Sequence, residues 1–308
     1  MMQGSLALSR GALFVGFEEK TAHVRVFDLD GRAVTGFSFR DSAGGRSAVA
    51  GLAVDEDGQI WVADAPADRV RVFSLFGREY GGIGSPAERG EPSTPAVLPG
   101  LVRLPVDVEV QGHRDEGWVA IACGGERRHA VQIFTPDLAW RASCASLGNG
   151  ADSFRGVRRL AALERRLFVV EAQARRIQVF RDLEFHFAFR LRGTNGRVFE
   201  PVAVAPLHDG RMVVACREPS ALFLVDAAGQ VIRVLAEEGA EEGRVLDPGD
   251  AVVELGCPDP LARLYVVDRD GLRLQVFTLE GRSLGVIPLD EGARKRAHAE
   301  EARSGSRN

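Results

Sequence analysis

The chain has 308 residues, of which 45% are hydrophobic and 35 are glycine, with a formal net charge of −4. That apolar content is typical of a globular protein with ample length for a large core. The mild acidity gives no global attraction to nucleic acid, and no apolar run approaches the ~20 residues of a membrane helix. Of the 39 basic residues only Lys20 and Lys295 are lysine, a bias that fits a GC-rich bacterial genome better than phosphate binding. Cys123, Cys144, Cys216 and Cys257 match neither zinc nor CxxC spacing, so reduced thiols in the cytoplasm are expected. The N-terminus lacks a basic region, and Arg10 interrupts its apolar stretch, unlike a signal peptide.

One unit recurs along the chain. Residues 4–40 carry LAL at 6–8, LFVGF at 13–17, HVRVF at 23–27 and the turn DLDG at 28–31. Residues 48–84 repeat this as LAV (52–54), IWVAD (60–64), RVRVF (69–73) and SLFG (74–77). Residues 104–147 give VEV (108–110), VAIAC (119–123), AVQIF (130–134) and TPDL (135–138). Residues 156–192 give LAA (160–162), LFVVE (167–171), RIQVF (176–180) and RDLE (181–184). Residues 201–236 give VAV (202–204), MVVAC (212–216), ALFLV (221–225) and DAAG (226–229). Residues 248–289 close the series with AVV (251–253), LYVVD (264–268), RLQVF (273–277) and TLEG (278–281).

The third segments alternate with period two and favour β-branched residues, as strands do. The second segments are apolar on both faces, which suits sheets packed between neighbouring sheets. Asp and Gly in the turns supply side-chain-to-backbone bonds and positive φ. A fourth strand after each turn completes the unit. The expected fold is all-β: a six-bladed β-propeller of four-stranded antiparallel blades over 1–289. Residues 290–308 (DEGARKRAHAEEARSGSRN) form a charged tail, expected to be disordered or helical. The stretch 82–104, with Pro86, Pro92, Pro95 and Pro99, is too long for a simple connection.

The unit resembles the NHL repeat. The matching residues are Gly51, Asp57, Gly58, Asp64, Arg69, Val72 and Phe73 in the second copy and Pro248, Asp268, Val276 and Phe277 in the sixth. Copies 1 and 5 replace the acid by Phe17 and Cys216, and copy 5 replaces the final Phe by Val225. The resemblance implies a propeller over residues 4–289. It also implies that an N-terminal strand could complete the last blade. Here each copy has four strands of its own, so ring closure is expected to rest on face-to-face packing.

In such a ring the first strands line a central channel, and Ser5, Gly51, Asp107, Arg159 (or Arg158), Ala203 and Asp250 begin them at one mouth. Glu109 falls one layer deeper. Asp107, Glu109, Arg159 and Asp250 are therefore the candidate ligand-binding residues for a small polar molecule. The plainer reading is that these charges pair with one another. An all-carboxylate calcium site from Asp107, Glu109 and Asp250 is a weaker alternative. The acids Asp64, Glu171 and Asp268 recur with the repeat, which points to a structural task, accepting N–H groups of the following turn. Cys123 and Cys216 replace that acid two blades apart, beyond disulfide reach.

His23, His113, His129, His186, His208 and His298 are scattered over different turns and strands, so no three-histidine site is expected. No metal, cofactor or catalytic set is assigned. Arg69, Arg103, Arg127, Arg128, Arg155, Arg175 and Arg176 gather over blades 2–4 on the face of the second-to-third-strand turns. Acids interleave them and stacking aromatics are few, which disfavours single-stranded RNA. The leading expectation is a non-catalytic scaffold that binds a protein partner through that arginine face and the 82–104 stretch. The alternative is a lactonase- or lyase-like enzyme acting on a small polar molecule at the channel mouth. RNA binding ranks third.

Overall fold

A computed structural model describes residues 4–18, 22–40, 46–84, 99–112, 117–124, 130–144, 154–193, 195–258, 261–269 and 272–289. They form six four-stranded antiparallel sheets, each built from consecutive strands. Blade 1 is β1 (Ser5–Ser9), β2 (Ala12–Glu18), β3 (Ala22–Asp28) and β4 (Ala33–Phe39). Blade 2 is β5 (Gly51–Val54), β6 (Ile60–Asp64), β7 (Arg69–Phe73) and β8 (Glu79–Ile83). Blade 3 is β9 (Pro105–Gln111), β10 (Trp118–Cys123), β11 (Ala130–Phe134) and β12 (Trp140–Ser143). Blade 4 is β13 (Val157–Leu163), β14 (Arg166–Glu171), β15 (Arg176–Arg181) and β16 (Glu184–Phe189). Blade 5 is β17 (Glu200–Pro206), β18 (Met212–Arg217), β19 (Ala221–Val225) and β20 (Val231–Ala236). Blade 6 is β21 (Pro248–Val253), β22 (Arg263–Asp268), β23 (Arg273–Thr278) and β24 (Ser283–Pro288). The stretch 85–98, the tail from 290, His113, His129, His298, Arg127 and Arg128 lie outside the described residues.

Turn chemistry sets the strand ends. Asp28 Oδ1 accepts the N–H groups of Asp30 and Arg32, and Asp226 Oδ1 those of Ala228 and Gln230. Both are Asx turns written by an acid at a strand end. The second and third strands are buried almost throughout, whereas the fourth face water, as in β20, where Val231 to Val234 are exposed. The core is six apolar clusters, each filling one seam between neighbouring blades. The seam between blades 6 and 1 is filled by Leu6, Leu13, Phe17, Tyr265, Val267 and Leu274 among others.

Ring closure differs from the expectation in one respect. Among the described residues no strand is shared, as expected, but packing is not the sole closure. Arg25 donates to Leu289 O (2.9 Å), Tyr265 Oη to Leu29 O (3.2 Å) and Arg263 Nη1 to Leu29 O (3.0 Å). Leu6 N donates to Asp250 Oδ2 (2.9 Å). Buried polar atoms at a seam must be satisfied, and here they are satisfied across it.

Strand register gives the channel its layers. Ser5, Gly51, Asp107, Arg159, Ala203 and Asp250 pair with Gly16, Ala63, Ala122, Val170, Ala215 and Val267, the equivalent positions of the six second strands. They form one ring, as the sequence predicts. Gly51 is required there by close approach: a Cβ would overlap Asp107 Oδ1 and come within 2.5 Å of Asp107 Cα. Two residues further along lies a second ring of Ala7, Ala53, Glu109, Ala161, Ala205 and Val252.

Candidate functional site

The first ring is a polar clasp. Arg159 leaves β13 and reaches across the channel. Its Nη2 donates to Gly4 O (2.7 Å), its Nη1 to Ala50 O (2.8 Å), and its Nε lies 3.2 Å from Asp250 Oδ2. One guanidinium thus ties blade 4 to the segments that begin blades 1 and 2 and to blade 6. Asp107 Oδ2 accepts the N–H of Leu160 (2.6 Å), joining blade 3 to blade 4. Asp250 accepts Leu6 N, Ala251 N (2.9 Å) and Ser5 Oγ (3.3 Å). All three charged side chains are buried. Burial pushes the Asp107 carboxyl up to about 7, with Arg159 opposing and Asp250 reinforcing the rise. Burial also raises Asp250, outweighing Arg159 and its backbone donors. Of the four candidate ligand residues, Arg159 and Asp250 therefore meet, and Asp107 lies close enough to feel both charges.

Glu109 stands apart, in the second ring, among four alanines and a valine. The backbone N–H of Ala162 holds its carboxyl. Burial first, then Asp107 and Asp250, push it well above the usual carboxylate range. It faces a cavity of about 150 Å³ that runs from Asp107 and Asp250 past Ala53, Ala161 and Ala205 to Val54, Pro206 and Leu255. Leu255, beyond the end of β21, is 40% exposed. The pore is thus closed by the clasp at one end and lined to the first-to-second-strand turns at the other.

The repeated acids hold a different partner from the one expected. Asp64 Oδ1 accepts Ala48 N (3.0 Å), Glu171 Oε1 accepts Arg155 N (2.7 Å), and Asp268 Oδ1 accepts Asp247 N (2.9 Å). These donors lie in the segment leading into the same blade, not in the following turn. The carboxylates also meet a polar residue at the centre of the third strand: Arg71, Gln178 and Gln275 respectively. Sequence reading missed these central residues, although a polar side chain in a strand buried on both faces requires a partner. In blade 3 the tether passes to Gln132, which accepts Gly100 N and donates to Leu101 O (2.6 Å each). Cys123 beside it is fully buried, and its thiol is pushed up to about 11 by that burial. Cys144 and Cys216 are buried and Cys257 exposed, all free thiols.

The described arginines of the proposed partner face are largely engaged. Arg69 pairs with Glu79, and Arg176 Nε with Glu171 Oε2 (2.5 Å). Arg175 holds Glu218 (2.5 Å) and Val198 O (3.0 Å). Arg155 is exposed and Arg103 half-buried. His23 meets Ser38 Oγ, His208 meets Glu164, and His186 sits exposed on β16. Among the described residues, no three His, Cys, Asp or Glu side chains converge to hold a metal ion, and no helix is long and apolar enough to cross a membrane.

No model of a known protein family matches the chain, and no curated protein matches it. Solved structures do. A catalytically inactive virginiamycin B lyase from Staphylococcus aureus with quinupristin is 13% identical, with a TM-score of 0.59 over 94% of this chain and 85% of that one. Hydrazine synthase of Kuenenia stuttgartiensis is 14% identical, with a TM-score of 0.58 over 93% and 86%. The Swd1 β-propeller domain of Myceliophteria thermophila is 12% identical, with a TM-score of 0.57 over 90% and 97%. At these identities the likeness is one of fold: this chain is similar to β-propellers that serve unrelated tasks.

Proposed function

We propose that the protein is a non-catalytic, NHL-like scaffold that binds a protein partner in the bacterial cytoplasm. The observation that carries this reading is where the polar side chains go. Arg159 and Asp250 are spent on each other, and with Asp107 on backbone groups of blades 1, 2, 4 and 6, which favours a rigid ring over a reacting centre. The same geometry disfavours the lactonase- or lyase-like alternative at that mouth.

The outer edge offers a surface for a partner. In β20 Val231, Ile232 and Val234 are 42%, 51% and 46% exposed on the unpaired edge of blade 5. An apolar edge strand is a template for an extended segment of another chain, which supplies main-chain hydrogen bonds and side-chain contacts together. The arginine face, with Arg155 exposed, is the competing surface.

In-cell crosslinking with affinity capture tests the reading. The expected result is a recurring protein partner lost in the Ile232→Glu/Val234→Glu variant and retained in Arg155→Glu, with both variants folded. A partner lost only in Arg155→Glu would move the surface to the arginine face. The absence of any recurring partner would overturn the scaffold reading.

A further inference from the structure

The second channel ring is unusual in what it omits. Ala7, Ala53, Ala161 and Ala205 leave space where larger residues would fill the axis, and the one polar side chain in the ring is Glu109. Small propellers can close this space with bulk; this one keeps about 150 Å³ open around a carboxyl group. A cavity of about that size has room for a benzene-sized guest, and its lining joins the carboxyls of Asp107, Glu109 and Asp250 to apolar side chains. Charge adds direction. Asp107, Glu109 and Asp250 face the cavity region with Arg159 as the one cationic side chain of the clasp, and Arg159 is already committed to Asp250 and two carbonyls.

We propose that the pore between the clasp and Leu255 binds a small, largely apolar molecule carrying one ammonium group, with the ammonium against Glu109 and the apolar body against the alanine ring. The guest enters from the first-to-second-strand turns, since the clasp closes the other end. This site is independent of the scaffold reading and does not depend on it. The ammonium supplies the countercharge that the ring lacks. Burial, then Asp107 and Asp250, raise the proton affinity of Glu109, so ionising against the guest releases a proton. No bond forms or breaks beyond that proton transfer to solvent.

Benzylamine is a suitable probe, with benzyl alcohol as its uncharged counterpart, using calorimetry on the full chain in two buffers of different ionisation enthalpy. The expected result is saturable binding of benzylamine at one site, at least about tenfold tighter than benzyl alcohol, as a charge-assisted bond requires. Proton release should accompany binding, and affinity should rise with pH as Glu109 ionises more readily. Glu109→Gln should reduce benzylamine affinity to that of the alcohol. Ala161→Leu, which fills the pore and keeps the Glu109 carboxyl in the chain, should abolish binding of both. Equal affinity for the two probes, an unaffected Glu109→Gln variant, retained binding in Ala161→Leu, or no binding at millimolar concentration would each overturn the proposal.

Discussion

At the scale of single residues, Asp107 shows what the clasp costs. Its carboxyl is buried, accepts one backbone N–H from Leu160 and shares Arg159 with Asp250. Its affinity for protons rises from an ordinary 3.8 to about 7 in the folded chain. The folded state then binds more protons than the unfolded state between those values, so stability falls as pH rises through that window. The penalty is complete above about pH 7 and absent below the unfolded value. A shift of about three units corresponds to at most about 4 kcal/mol. Asp107→Asn keeps an oxygen for Leu160 N and removes the titration. Its stability relative to the wild type should therefore increase between pH 4 and pH 8, read as urea midpoints at each pH. Parallel curves for the two proteins would show that the charge of Asp107 is not what titrates. The place of Asp107 in the ring was legible, because one-residue register follows from the repeat. That these charges would answer one another was legible too; that Arg159 would reach Asp250 and the carbonyls of Gly4 and Ala50 was not, since that reach depends on the channel's width.

At the scale of strands, the repeat encodes a tether as well as a sheet. The acid ending the second strand and the polar residue centring the third together hold the segment that leads into the blade. The acid was legible from its recurrence. The central Arg71, Gln132, Gln178 and Gln275 recur as visibly, yet period-two alternation alone does not say that both strand faces are buried and that these side chains need partners. The direction of the tether was misread for a related reason: local Asx turns are the usual partners of such acids, and the actual partners lie sixteen to twenty-one residues upstream. Glu171→Gln should be costly, because Arg176 is left without its counterion at 15% side-chain exposure. A loss of about 3 kcal/mol is expected, as when one partner of a buried pair is removed. Amide exchange should quicken at 154–157. Cys123→Ala should cost only about 1 kcal/mol, since Gln132 keeps both of its bonds to the incoming segment. Similar losses in the two variants, by chemical denaturation, would contradict this division of labour.

At the scale of the whole ring, five seams join blades that are consecutive in the chain, and the sixth joins blade 6 to blade 1 with no covalent link beside it. Every seam has its apolar cluster, so packing alone gives the sixth no compensation for the missing connection. The clasp supplies it: Arg159 bonds Gly4 O and approaches Asp250, and Asp250 bonds Leu6 N, all within a few residues of that seam. The six blades were legible in the sequence because each is a local unit. The closure was not, because its partners are up to 264 residues apart and no local pattern relates them. Arg159→Met preserves much of the side chain's bulk while leaving Gly4 O and Ala50 O without their donor and two carboxyls without a cation. A loss of about 3–5 kcal/mol is expected. The distribution of that loss is the sharper test. Hydrogen exchange should rise first in β1 and β21, which flank the unlinked seam, before it rises in β17, whose seams on both sides are also held by the chain. If protection instead falls evenly around the ring, the clasp stabilises the channel generally and the sixth seam closes by its apolar cluster and outer hydrogen bonds.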